Sequence, residues 1–233
     1  MEIPDAQIVP LDNRLLMAQT LYHLSLSESD IGADGLYTGS PLAFSFVDAA
    51  LSIYPQHAAA LFQRAKLEDS DIEGALDLLR HAIDLDPNHF GAWEATGNIY
   101  EMASMPAITR DCWEYALKIA EQKKDAERRT GVETGALLSN EETAVFQLKL
   151  GILCEALGKS DRALFHYKEA NRRSDGDIRI PSTLMAPSDA EQDPAVVFLR
   201  MAQIFQREGF EEEAHIRFQK AMEIDPSLQR FIG

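Results

Sequence analysis

The sequence predicts an all-α chain, a solenoid of about five helix-turn-helix repeats, on three observations. A small, large, small side-chain pattern recurs five times at spacings of four and seven residues, which lays it on one stripe of a helix. A second amphipathic stretch precedes each occurrence, and glycine or proline punctuates the joints. The 233 residues are many for one ordinary core but comfortable for stacked units that share a continuous one.

The five stripes run in chain order. They are Ala43, Val47, Ala50; Ala75, Leu79, Ala82; Thr109, Trp113, Ala116; Ala163, Tyr167, Ala170; and Ala214, Phe218, Ala221. Pro55, Pro87 and Pro226 follow at a constant offset and stop three of these helices. The preceding helices open with Leu15, Ala18, Tyr22; with the short stretch 58–68; with Trp93, Thr96, Gly97, Tyr100; with Leu150, Gly151, Cys154; and with Phe198, Met201, Ala202, Phe205. Small residues such as Gly97 admit close helix approach. Gly158 and Gly209 sit where the chain must turn, and Ser40-Pro41, Asp193-Pro194 and the pair Ser139, Glu142 mark helix starts.

These residues resemble the tetratricopeptide repeats, 34-residue helix pairs that stack into a right-handed superhelix with a concave groove. Ala75 to Thr109 spans 34 residues, whereas the next two intervals are 54 and 51, which implies insertions of about 20 and 17. One domain over 1–233 is expected, with repeats near 12–55, 56–89, 90–130, 140–173 and 193–227 and insertions at 121–139 and 174–192. The helix of the third stripe should overrun to about Arg129, because no proline stops it and K-I-A-E-Q-K-K-D-A-E-R-R-T-G is rich in helix formers. The stretch S-L-S-E-S-D-I-G-A-D-G-L-Y-T-G-S reads as a long polar loop in the first repeat.

The second insertion carries three prolines together with Ile178, Ile180, Leu184 and Met185, and is expected to lie extended over the array. After Pro226 only S-L-Q-R-F-I-G remains, so Ile216, Phe218 and Met222 are expected to form an apolar end patch and a route to self-association.

Charge excludes some partners. The formal net charge is -16, from 38 acidic and 22 basic residues, which disfavours nucleic acid and anionic membranes. Residues 1–111 hold 17 acidic against 5 basic side chains, so a basic partner would approach that half first. There is no signal-like or membrane-spanning run, and a cytoplasmic location is expected. Cys112 and Cys154 read as small buried hydrophobes rather than a disulfide framework.

No histidine pair has metal-ligand spacing, and there is no phosphate-cradling loop or nucleophile elbow, so neither enzyme activity, metal nor cofactor is expected. What the resemblance implies instead is an interaction scaffold or adaptor that binds a peptide or protein in its groove. The first helices of the repeats would line that groove, and the matching polar positions are Glu94, Asn98, Lys149, Arg200, Gln203 and, in the second repeat where the short helix leaves the register open, Arg64 or Lys66. Family members that clamp a C-terminal carboxylate use a fixed polar set, but Leu148 and Ile152 stand at two of its positions, so no such clamp is assigned. Two alternatives are weighed: an accessory module of a bacterial sulfotransferase- or methyltransferase-type enzyme, from a likeness over Leu150 to Arg173, and a self-assembling oligomer.

Overall fold

A computed structural model describes residues 11–31, 37–68, 71–132, 137–174 and 194–231. They fall into two compact units, Met1–Ile99 and Tyr100–Gly233. The expected extended segment with Ile178, Ile180, Leu184 and Met185, and the Asp193 start signal, lie outside the described residues.

In the first unit, α1 (Leu11–Ser27) packs on α2 (Pro41–Ile53), and α3 (Ala58–Lys66) packs on α4 (Ile72–Leu85). Most of α5 (Phe90–Met102) completes the unit. Ser40 starts α2, its hydroxyl accepting the Ala43 N–H at 3.3 Å with Pro41 in the first turn. His57 Nδ1 does the same for Ala60 at 3.2 Å, and Asp71 for Gly74 at 2.9 Å. Proline lies two residues beyond the ends of α2 and α4, at Pro55 and Pro87. The core gathers Ala18, Ala43, Val47, Ala50, Ala60 and Leu67, with a neighbouring cluster around Leu61, Leu79, Ala82 and Ala92.

The loop expected to be irregular in the first repeat contains a two-stranded antiparallel ribbon. Strand β1 (Ser29–Ile31) pairs with β2 (Tyr37–Gly39), with Ser29 opposite Gly39 and Ile31 opposite Tyr37. Ile, Tyr and Thr suit extended backbone, a local preference that the surrounding Ser, Asp and Gly obscured. Buried Gln63 of α3 anchors the ribbon by donating to the Ser29 hydroxyl at 3.0 Å.

The second unit carries α6 (Pro106–Thr130), α7 (Asn140–Ala156), α8 (Ser160–Arg173), α9 (Pro194–Arg207) and α10 (Glu211–Ile224). Helix α6 runs 25 residues, overrunning as expected, and Gly131 closes it by donating its N–H to the Glu127 carbonyl at 2.9 Å. Helix α7 opens with a complete capping box: Ser139 Oγ accepts the Glu142 N–H at 3.1 Å and the Glu142 carboxylate accepts the Ser139 N–H at 2.7 Å. Gly158 and Gly209 turn α7 into α8 and α9 into α10 at φ of 70° and 82°, values that a side chain would strain.

All fifteen stripe positions are buried, the least so being Phe218 at 7% exposure. Gly151 of α7 lies directly against the Tyr167 ring of α8, which explains a glycine in mid-helix. The C-terminal end differs from expectation. Pro226–Phe231 forms a 3-10 helix whose Leu228 joins the α9–α10 core. Phe218 is buried and Met222 half-buried, leaving Ile216 exposed with Ile224 on α10. The stripe spacing itself turns Phe218 inward, so the expected patch is much smaller.

Candidate functional site

The polar residues singled out in the sequence fall into two groups. In the first unit Arg64 is committed within its own fold: Nε meets Asp48 Oδ1 at 3.0 Å, Nη1 meets Glu68 Oε2 at 2.7 Å, and the guanidinium lies over the Phe44 ring at 5.1 Å. Glu94 is half-buried on α5 and interacts with Lys66, whose ammonium is held below its ordinary range by burial, against the opposing pull of Glu94. Asn98 is exposed one turn later on α5.

In the second unit Lys149 of α7 places its ammonium 5.2 Å from the centre of the Trp113 ring, and its charge interacts with that of Glu101. Arg200 of α9 acts electrostatically on the Tyr167 hydroxyl, which donates to Glu155 Oε2 at 2.9 Å. Burial pushes the Tyr167 phenol up, followed by the Glu155 charge, so it stays a donor. Gln203 is exposed one turn after Arg200. Lys149 is thus set against Trp113, and Arg200 and Glu155 both act on Tyr167.

A second cluster was not anticipated. Glu114 of α6, Cys154 of α7 and His166 of α8 bring one donor atom each to within 4.8 Å of one another. His166 Nδ1 lies 2.7 Å from Gln147 Oε1, and its Nε2 lies 3.8 Å from Glu114 Oε1. Arg162 Nη1 donates to the same carboxylate at 3.0 Å. Glu114, Gln147 and His166 line a cleft of about 400 Å³, with Arg173 and Glu121 paired across it at 2.6 Å. Burial raises the Cys154 thiol, the Glu114 charge adding to it, and burial pushes Cys112 up to about 11, so both are ordinary buried thiols when protonated. The three donors are separated by 40 and 12 residues, which defeats any search by ligand spacing.

No family model matches the sequence. A TPR repeat-containing protein of Rhizobium etli is 24% identical over 103 residues, or 43% of this chain, and the chain spans about half the length of that curated relative. Among solved structures, MamA superposes over 95% of this chain and 97% of its own at a TM-score of 0.53 and 15% identity. YrrB, described as a TPR protein with an unusual peptide-binding site, covers 91% of this chain and 85% of its own at 0.53 and 15%. The chain has the tetratricopeptide-repeat fold.

In tetratricopeptide-repeat terms α5, α7 and α9 are first helices, and they carry Glu94, Asn98, Lys149, Arg200 and Gln203. Second helices α6 and α8 supply Glu114 and His166. PilF of Pseudomonas aeruginosa shares the fold over 90% of this chain and 78% of its own, at a TM-score of 0.53 and 16% identity. Among the described residues no helix is long and apolar enough to cross a membrane.

Proposed function

We propose that the chain is a non-enzymatic interaction scaffold of the cytoplasm, and that an extended peptide or protein segment binds the polar side of its first helices. Residues 1–233 act in this reading as one array. The observation that carries it is the pair of cationic positions on first helices, Lys149 over the buried Trp113 ring at 5.2 Å and Arg200 acting electrostatically on the buried Tyr167 hydroxyl. Rigid backbone under a charged head lowers the ordering cost of reading a ligand. The description of YrrB as peptide-binding supports the same use of the fold. Arg64 contributes less, since Asp48 and Glu68 already hold it. The acidic excess of residues 1–111 favours a partner segment with basic residues toward that half.

The test compares wild type with Lys149→Glu, Arg200→Glu in capture from native lysate at roughly physiological salt, where charges are screened over about 8 Å. The recovered segment is then synthesised and titrated calorimetrically. A loss of affinity of tenfold or more in the double variant supports recognition by these helices, and unchanged affinity removes them from the interface. Self-association is a narrower second reading, favoured by Ile216 and Ile224, 47% and 50% exposed on α10. Sedimentation of wild type beside Ile216→Lys, Ile224→Lys decides it.

A further inference from the structure

We propose that Glu114, Cys154 and His166 form a binding site for one divalent transition-metal ion of the zinc type, between α6, α7 and α8 beside the cleft that Glu114 and His166 line. The site is independent of the scaffold reading. Its donor set is one carboxylate oxygen, one thiolate sulfur and one imidazole nitrogen, a mixture that suits zinc and its near neighbours and disfavours magnesium or calcium. A tetrahedral zinc site separates its donors by about 3.3–3.8 Å, so a spread of up to 4.8 Å needs a contraction of only about an ångström.

The second observation is the state of the histidine. Gln147, 2% exposed, offers its amide oxygen to His166 Nδ1 at 2.7 Å. With Nδ1 donating to that amide oxygen, Nε2, 3.8 Å from Glu114 Oε1, is the nitrogen turned toward the other two donors and available to a metal ion. That is the outer hydrogen bond which fixes the tautomer and orientation of metal-binding histidines. The His166 nitrogen and the Cys154 sulfur then face a carboxylate that Arg162 also holds, Nη1 donating to Glu114 Oε1 at 3.0 Å.

Position agrees with this. Glu114 follows Trp113 and His166 precedes Tyr167, ring residues 1% and 0% exposed, so the backbone under both ligands is held by the core. Glu114 and His166 also line the cleft, which gives an ion a path from solvent and leaves the fourth position to water. Binding replaces the S–H bond of Cys154 by a metal–sulfur bond and releases the proton to solvent, so affinity rises with pH. The ion would tie three successive helices, α6, α7 and α8, through three side chains.

The test uses the full chain stripped of metal by a chelator and titrated with Co2+, a zinc substitute whose spectrum reports its ligands, with Zn2+ as competitor. One equivalent is expected to bind with a near-ultraviolet thiolate-to-cobalt band and visible bands of a four-coordinate ion. Cys154→Ser removes the near-ultraviolet band, while Cys112→Ser leaves it unchanged. Gln147→Ala and Glu114→Gln weaken Co2+ by about 10–100-fold. Absence of the thiolate band in wild type, or its survival in Cys154→Ser, overturns the proposal. Should circular dichroism show Cys154→Ser unfolded, Glu114→Gln decides alone: its side chain is 32% exposed and tolerant of change, and unaltered Co2+ affinity sinks the site.

Discussion

Replacing Gly151 by alanine should destabilise the protein, contrary to the usual gain for a glycine in a helix. In isolation the change stabilises by about 1 kcal/mol, because alanine loses less backbone entropy. Here the added Cβ would overlap Cε1 of Tyr167, lying 2.5 Å from Cδ1 and 3.1 Å from Cζ, where ordinary contact needs about 3.5–4 Å. The ring has nowhere to retreat, since Tyr167, Ala163 and Ala170 are all 0% exposed. Forcing a methyl into such packing costs about 1–3 kcal/mol. Displacing the ring also stretches its 2.9 Å bond to Glu155, and a hydrogen bond to a charged group contributes about 1.5–3 kcal/mol. With the propensity gain subtracted from the packing and hydrogen-bond losses, the net loss is about 1.5–5 kcal/mol, the upper end requiring complete loss of the bond. Urea denaturation followed by circular dichroism should show a lower midpoint at unchanged slope. On a Tyr167→Leu background the same Gly151→Ala should be neutral or stabilising. A single Gly151→Ala variant that is more stable than wild type by about 1 kcal/mol would refute the packing argument.

Other consequences can be checked the same way. Gly158→Ala should cost about 1–2 kcal/mol through backbone strain alone, because φ is 70° and nothing lies within 4 Å of the new Cβ; Gly158→Asn should cost less. Ser139→Ala should lose about 1 kcal/mol of helix capping. The Ser139 backbone N–H, followed by its hydroxyl, holds the Glu142 carboxyl below its ordinary range. A depressed carboxylate adds stability that is present at neutral pH and disappears as pH falls through the folded-state value, so wild type should lose more stability on acidification than Ser139→Ala. Cys112, pushed up to about 11, should react with a disulfide reagent slowly at pH 8 and rapidly in urea; fast reaction in the native state would contradict its burial.

The helix pattern was legible because it is written in local spacing: Trp113 and Tyr167 sit four residues after a small side chain and three before another, and the structure buries them all. The overrun of α6 was equally plain from the missing proline. The ribbon of β1 and β2 was hidden because three-residue strands leave too little alternation to detect among Ser, Asp and Gly. The polar residues of the first helices could be named from helix phase, but their present partners could not, as Arg64 shows by spending its guanidinium on Asp48 and Glu68. Glu114, Cys154 and His166 were invisible for a different reason: only the packing of three helices makes them neighbours. The helical pattern around Cys154 marks it as a small buried hydrophobe, and its 0% exposure fits that as well as a ligand role.

The long α6 suggests how such a chain can change length over generations. Beyond Ala120 the helix is held by Glu121 to Arg173 at 2.6 Å and by Lys124 to Asn140 at 2.6 Å. Added residues run along an axis that already exists, so the α7–α8 hairpin need not repack around them. A lineage could lengthen or trim this segment by about one turn at a time, 3–4 residues, and keep each pinning side chain on its face. Insertions of one or two residues would rotate Lys124 away from Asn140. Related chains should therefore differ here in whole turns, with the stripe unaltered.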